Sequence, residues 1–73
     1  MRADEVERTI AINGASRVVD ADNVAELLER LGYQELGGLA VALNGRVVPR
    51  GEWATRGLDG AEAIEIVGAV QGG

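Results

Sequence analysis

The chain has no cysteine, histidine, phenylalanine or lysine, and only one proline, one tryptophan and one tyrosine among its 73 residues. Without thiols or imidazoles it holds neither a disulfide nor a Cys/His metal staple, the usual supports of so small a domain, so the fold must be compact and regular. The same absences, with Ser16 as the only serine, remove most side chains that serve as nucleophile or general base, and a self-contained enzyme is not expected. No apolar run approaches the roughly 18 residues of a membrane span, and the opening residues 1–8 have no signal-peptide core. A cytoplasmic protein without membrane contact is the expectation. With no lysine, the chain has no side-chain amine to accept an isopeptide bond.

What is present is acidic. Seven arginines face 12 carboxylates, giving a formal net charge of −5 and a pI near 4.5. Nucleic-acid binding needs clustered basic charge to displace counterions from phosphates, so that class is set aside. An anionic surface suits a basic protein partner.

Along the chain, residues 1–8 are polar and charged and read as an N-terminal extension, followed by a domain over 9–68 and a C-terminal tail over 69–73. Thr9-Ile10-Ala11-Ile12 is a β-branched run that stops at Asn13-Gly14, a dipeptide whose two residues tolerate the positive φ of a type I′ hairpin turn. Arg17-Val18-Val19 returns as a second strand. A strict two-residue turn places Arg17 opposite Ile10, so a longer loop through Ala15 and Ser16 is kept open. Asn23 then stands as N-cap with Glu26 as capping-box partner, and Val24, Leu27, Leu28 and Leu31 fall at i, i+3, i+4 and i+7, predicting a helix over 23–31. Gly32 occupies the position of a left-handed C-terminal cap. After Gly37-Gly38, Leu39–Leu43 reads as a strand, Asn44-Gly45 as a second tight turn, and Arg46–Val48 as a short strand ended by Pro49. Residues 51–60 read as turns with one helical turn around 52–54, and Glu62–Val67 as the last strand.

A helix this short is marginal alone and must lay its apolar stripe on a sheet. Hairpin, helix, short hairpin, irregular crossing and final strand pack most simply as an α+β fold. In it one helix covers a mixed four- to five-stranded sheet and the last strand lies beside the first, the ubiquitin-like β-grasp. Alternation turns Val41, Leu43, Ile64 and Ile66 toward the helix and Ala40, Ala42, Glu65 and Val67 to the opposite face.

The chemistry concentrates at the C-terminus. In a chain with 11 glycines, Gly72-Gly73 says little by itself; joined to a β-grasp pattern of this length it points to a reactive end. A terminal carboxylate is ionised at neutral pH and nucleophilic. Two residues without Cβ let the backbone extend through a narrow channel to the α-phosphate of a nucleotide.

Asn44-Gly45-Arg46-Val47-Val48-Pro49-Arg50, Glu52-Trp53, Asp59-Gly60, Glu65-Ile66-Val67, Ala69-Val70 and Gly72-Gly73, with Val24-Ala25-Glu26-Leu27-Leu28 at the helix start, resemble the ThiS family. These are the sulfur carrier proteins of thiamine biosynthesis. The likeness spans about residues 9–73, and residues 1–8 depart from it by adding length. The resemblance implies that an E1-like adenylyltransferase uses ATP and magnesium to adenylate the Gly73 carboxylate. It implies further that a persulfide donor supplies the sulfur of a thiocarboxylate, and that thiazole synthase accepts it. The chain itself would be a cosubstrate with no intrinsic cofactor. Two alternatives stay open: a carrier of another pathway, such as the small subunit of molybdopterin synthase, and a non-reactive β-grasp interaction module.

Beyond Gly73 and Gly72, a partner-docking surface is assigned to Ala42, Glu65, Val67 and Val70, with one of Val47 or Val48 completing a small apolar patch. Trp53 is either an interface anchor or, the preferred reading, a cap on a satellite cluster beside Leu58 and Pro49. Arg50 is a solvated charge or a partner contact. Asp20, Asp22 and Glu26 are explained by the electrostatics of a helix start, and no metal is assigned.

Overall fold

The computed structural model describes residues 7–34 and 37–68. The elements are β1 (Arg8–Ile12), β2 (Ala15–Val19), α1 (Val24–Arg30), β3 (Leu39–Leu43), β4 (Arg46–Val47), a 3₁₀ turn (Arg50–Glu52) and β5 (Ala63–Gly68). They form a five-stranded sheet in the order β2-β1-β5-β3-β4. β5 lies parallel to β1 and antiparallel to β3, so the last strand is inserted in the middle of the sheet. This is the α+β, β-grasp arrangement expected from the element order.

β1 and β2 are joined by a strict two-residue turn, Asn13 at φ 51° and Gly14 at φ 89°. Ile12 pairs with Ala15 and Ile10 with Arg17, so the longer loop through Ala15 and Ser16 does not form. The register is tolerable because β2 is an edge strand: Ile10 is fully buried, whereas along β2 only Val19 is. The core ends before it reaches Arg17, whose charge stays in water. β1 also begins one residue earlier than the sequence suggests, taking in Arg8, whose guanidinium bonds Asp59 at 3.2 Å.

α1 has every orphan N–H of its first turn satisfied. Val24 and Ala25 donate to the Arg56 and Trp53 carbonyls, Leu27 to the Asn23 carbonyl, and Glu26 to the Asn23 side chain at 2.8 Å. The Glu26 carboxylate reaches back to the Asp22 N–H at 3.0 Å rather than to Asn23, one residue beyond the expected capping box. At the other end Gly32, at φ +93°, donates to Glu29 and Tyr33 to Leu28, the paired bonds of a Schellman motif.

The helix lays Val24, Leu27 and Leu28 on Ile10, Val41, Ile64 and Ile66 of the sheet, all within 5% of complete burial. Trp53 and Leu58 belong to this same cluster, not to a satellite of it. The 53–58 segment can reach the core because it is stapled to the helix start: beyond the bonds above, Leu58 donates to the Asp22 carbonyl at 3.0 Å. Pro49 closes β4 and opens the 3₁₀ turn, which falls two residues ahead of the expected 52–54.

Candidate functional site

Everything the sequence assigns to function hangs on β5, the strand that leads to Gly72 and Gly73. Those two glycines and Val70 lie outside the described residues. The strand itself is held at its start and at its middle by the asparagines of the two tight turns. Asn13 donates from Nδ2 to the Ile66 carbonyl at 3.1 Å and accepts the Ile66 N–H on Oδ1 at 2.8 Å. Asn44, at φ 50°, accepts the Glu62 and Ala63 N–H groups on Oδ1 at 2.8 and 3.0 Å, and donates to the Gly60 carbonyl at 3.2 Å. Backbone bonds from Asn13 to Ile64 and from Asn44 to Ala63 complete the two grips. Sequence reading took these residues as turn formers alone. Their shared Asn-Gly sequence was the available signal, but the partners lie up to 53 residues away.

The sheet face opposite the helix is open. Ala42 pairs with Glu65 and with Val47, and Ala40 with Val67, bringing Ala42, Glu65 and Val67 together as expected. The choice between the two valines is resolved: Val47 is 73% exposed and Val48 is buried. Val48 has already left β4 and turned inward, where its N–H bonds the Val41 carbonyl at 2.8 Å. Val67 and Val18 are also largely exposed, and Val18 pairs with Thr9 farther along the same face. The result is a small-residue apolar face, rich in Ala and Val, with the Glu65 carboxylate in its middle. It offers shape and one charge to a partner.

The remaining candidates have structural roles. Trp53 is buried, and its indole N–H donates to the Val48 carbonyl at 3.0 Å. Arg50 places its guanidinium 5.8 Å above the indole ring while staying exposed. Near the helix start, the Asp20 carbonyl accepts from Arg30 at 3.0 Å, and the Asp22 carboxylate lies 4.0 Å from Arg8. Among the described residues no three His, Cys, Asp or Glu side chains converge as metal ligands, and no helix is long and apolar enough to cross a membrane.

Comparison with known proteins agrees with this architecture. A solved structure of a thiamine biosynthesis protein (ThiS) from Geobacter metallireducens superposes with a TM-score of 0.72 at 30% identity, covering 90% of this chain and 100% of that one. Comparison with curated proteins finds no match. The model of the ThiS family matches residues 6–73, nearly the whole chain and through its last glycine. The protein therefore belongs to the ThiS family, the small sulfur carriers of thiamine biosynthesis.

Proposed function

We propose that the chain carries sulfur on the carboxyl group of Gly73 for construction of the thiamine thiazole. The supporting observation is that the family pattern runs through Gly72 and Gly73, the residues that follow a strand gripped at its start and its middle. An E1-like adenylyltransferase supplies ATP and magnesium. A Gly73 carboxylate oxygen attacks the α-phosphorus, pyrophosphate leaves, and an acyl-adenylate forms. The terminal sulfur of a persulfide donor then attacks the acyl carbon, AMP leaves with the carbon's former oxygen, and a second thiol on the donor side attacks the inner sulfur of the acyl disulfide, releasing the thiocarboxylate and leaving a disulfide on the donor. The thiocarboxylate keeps its sulfur nucleophilic while covalently tethered, and thiazole synthase takes it from there. A cytoplasmic setting, where ATP is at hand, fits the cycle.

The chain's own contribution is presentation. Gly72 and Gly73 put no side chain in the way of the carboxylate, and β5 fixes where the arm begins. The open face over Ala42, Glu65 and Val67, together with Val70 of the tail sequence, is the surface by which the activating enzyme takes hold. A basic group on the enzyme opposite Glu65 fits both the local carboxylate and the net charge of −5. Reconstitution tests the cycle: carrier loaded with isotopically labelled sulfur, mixed with thiazole synthase and its other substrates, returns to the carboxylate mass while label enters the thiazole. Label that stays on the carrier contradicts the reading.

A further inference from the structure

The sheet narrows toward the end at which the chain leaves it. β1 pairs with β5 only as far as Ile12 and Ile64, and the Asn13 N–H adds one backbone bond to the Ile64 carbonyl at 2.9 Å. On the other flank β4 pairs only with Ala42 and Leu43, and the Val48 N–H reaches the Val41 carbonyl at 2.8 Å. Past those bonds Val67 and Gly68 run against Ala40 and Leu39 alone. A two-stranded ribbon twists and splays more readily than a strand flanked on both sides. Among the described residues one group opposes that motion from the β1 side. The Asn13 amide donates from Nδ2 to the Ile66 carbonyl at 3.1 Å and takes the Ile66 N–H on Oδ1 at 2.8 Å. The Ile66 side chain, buried in the core, fixes how deep the strand lies. The two amide bonds run sideways, as ladder bonds do, and fix the direction in which it leaves. Asn44 acts at the opposite end, on Gly60, Glu62 and Ala63, and has no such leverage.

We propose that Asn13 is a positioning residue for the adenylation assigned above, aiming the C-terminal arm through its clasp on Ile66. The inference rests on the carrier function of Gly73. Seven residues follow Ile66, a reach of at most about 23 Å at the rise of a strand. A change of roughly 10° in direction at Ile66 moves the far end of that reach by about 4 Å, more than the separation of two atoms about to bond. Losing the clasp spreads the carboxylate over a larger volume, and the fraction of docked carriers with Gly73 at the α-phosphorus falls. Docking itself, made by the open face, stays in place. The loss therefore falls on kcat rather than on KM.

Asn13→Gly removes the clasp and keeps the positive φ. Gly32→Ala, which strains the helix cap and meets nothing within 4 Å, is the control for lost stability. Direction is read on the full chain without any enzyme, from the amide residual dipolar couplings of Ile66, Val67 and Gly68 in a weakly aligned sample. In the parent and in Gly32→Ala they fit the same alignment as the rest of the sheet; in Asn13→Gly those of Val67 and Gly68 lose amplitude. Rate is read as pyrophosphate released by the activating enzyme. Asn13→Gly lowers kcat on the order of tenfold with KM within about twofold of the parent, and Gly32→Ala changes neither. Asn13→Asp keeps the bond from the Ile66 N–H but sets a carboxylate against the Ile66 carbonyl; it shifts kcat in the same direction and serves where Asn13→Gly does not fold. Couplings in the Asn13 variant that still fit the sheet, a kcat equal to the parent's, or a fall shared by Gly32→Ala overturns the proposal. If the parent itself is not adenylated, the carrier reading fails, and the couplings alone decide whether Asn13 sets the direction of the arm.

Discussion

A side-chain amide that bonds both the N–H and the carbonyl of Ile66 reproduces, from a turn, the pairing a neighbouring strand would give. The residue that makes the turn therefore also holds the strand that carries the tail. The two contributions separate by mutation. Asn13→Gly keeps the positive φ without strain but deletes the grip, and two partly buried hydrogen bonds are together worth about 1–3 kcal/mol. Asn13→Ala loses the grip and forces alanine into the left-handed region, for roughly 1 kcal/mol more. Urea unfolding of the two variants checks both steps; an Asn13→Gly protein as stable as the parent would show that the turn alone matters. None of this is legible in a linear reading, because the acceptor of a turn asparagine depends on which strand lies beside it. Val47 and Val48 pose the same problem at shorter range. Alternation cannot tell which of them faces out until the point where β4 ends is known.

Helix α1 was legible because its signals are local. The cap at Asn23, the apolar stripe and Gly32 all act within a turn of their own position, and the observed bounds differ from the expected ones by one residue at each end. Gly32 isolates one such signal: a Cβ there meets nothing within 4 Å, so the cost of Gly32→Ala is the φ of +93° alone. That cost is about 1–2 kcal/mol, read as a lowered urea midpoint. The β1–β2 register was harder to read because pairing a charge with a buried isoleucine looks unfavourable until β2 is known to be an edge. Along the open face, β5 presents Glu65 between valines and alanines. Glu65→Arg is expected to slow loading by the activating enzyme while leaving the urea midpoint within about 0.5 kcal/mol of the parent, as for an exposed substitution. Unchanged loading kinetics would remove this face from the docking surface.

For the molecule as a whole, the absences in its composition agree with a division of labour. Among the described residues thirteen buried apolar side chains, from Ile10 to Ile66, hold the handle together, and a chain without cysteine adds no disulfide. On the proposed function, the groups that activate, donate and accept sulfur belong to other proteins. The fold class and the helix could both be read in the sequence, since each leaves a mark in local pattern. Trp53 could not be placed, because its burial depends on the 53–58 segment being tied to the helix start. If handle and arm are separate, Gly72→Ala lowers the rate of adenylation and leaves the melting temperature unchanged. A substantially lower melting temperature would mean that the arm contributes to the core.

The most direct test locates the sulfur. The full chain is incubated with the activating enzyme, ATP and a persulfide donor, cleaved after arginine, and its C-terminal peptide 57–73 is fragmented in the mass spectrometer. The predicted result is one oxygen replaced by sulfur, confined to Gly73 and absent when that residue is deleted. Sulfur on any other residue, or loading that survives the deletion, would contradict the assignment of the carrier function to this end of the chain.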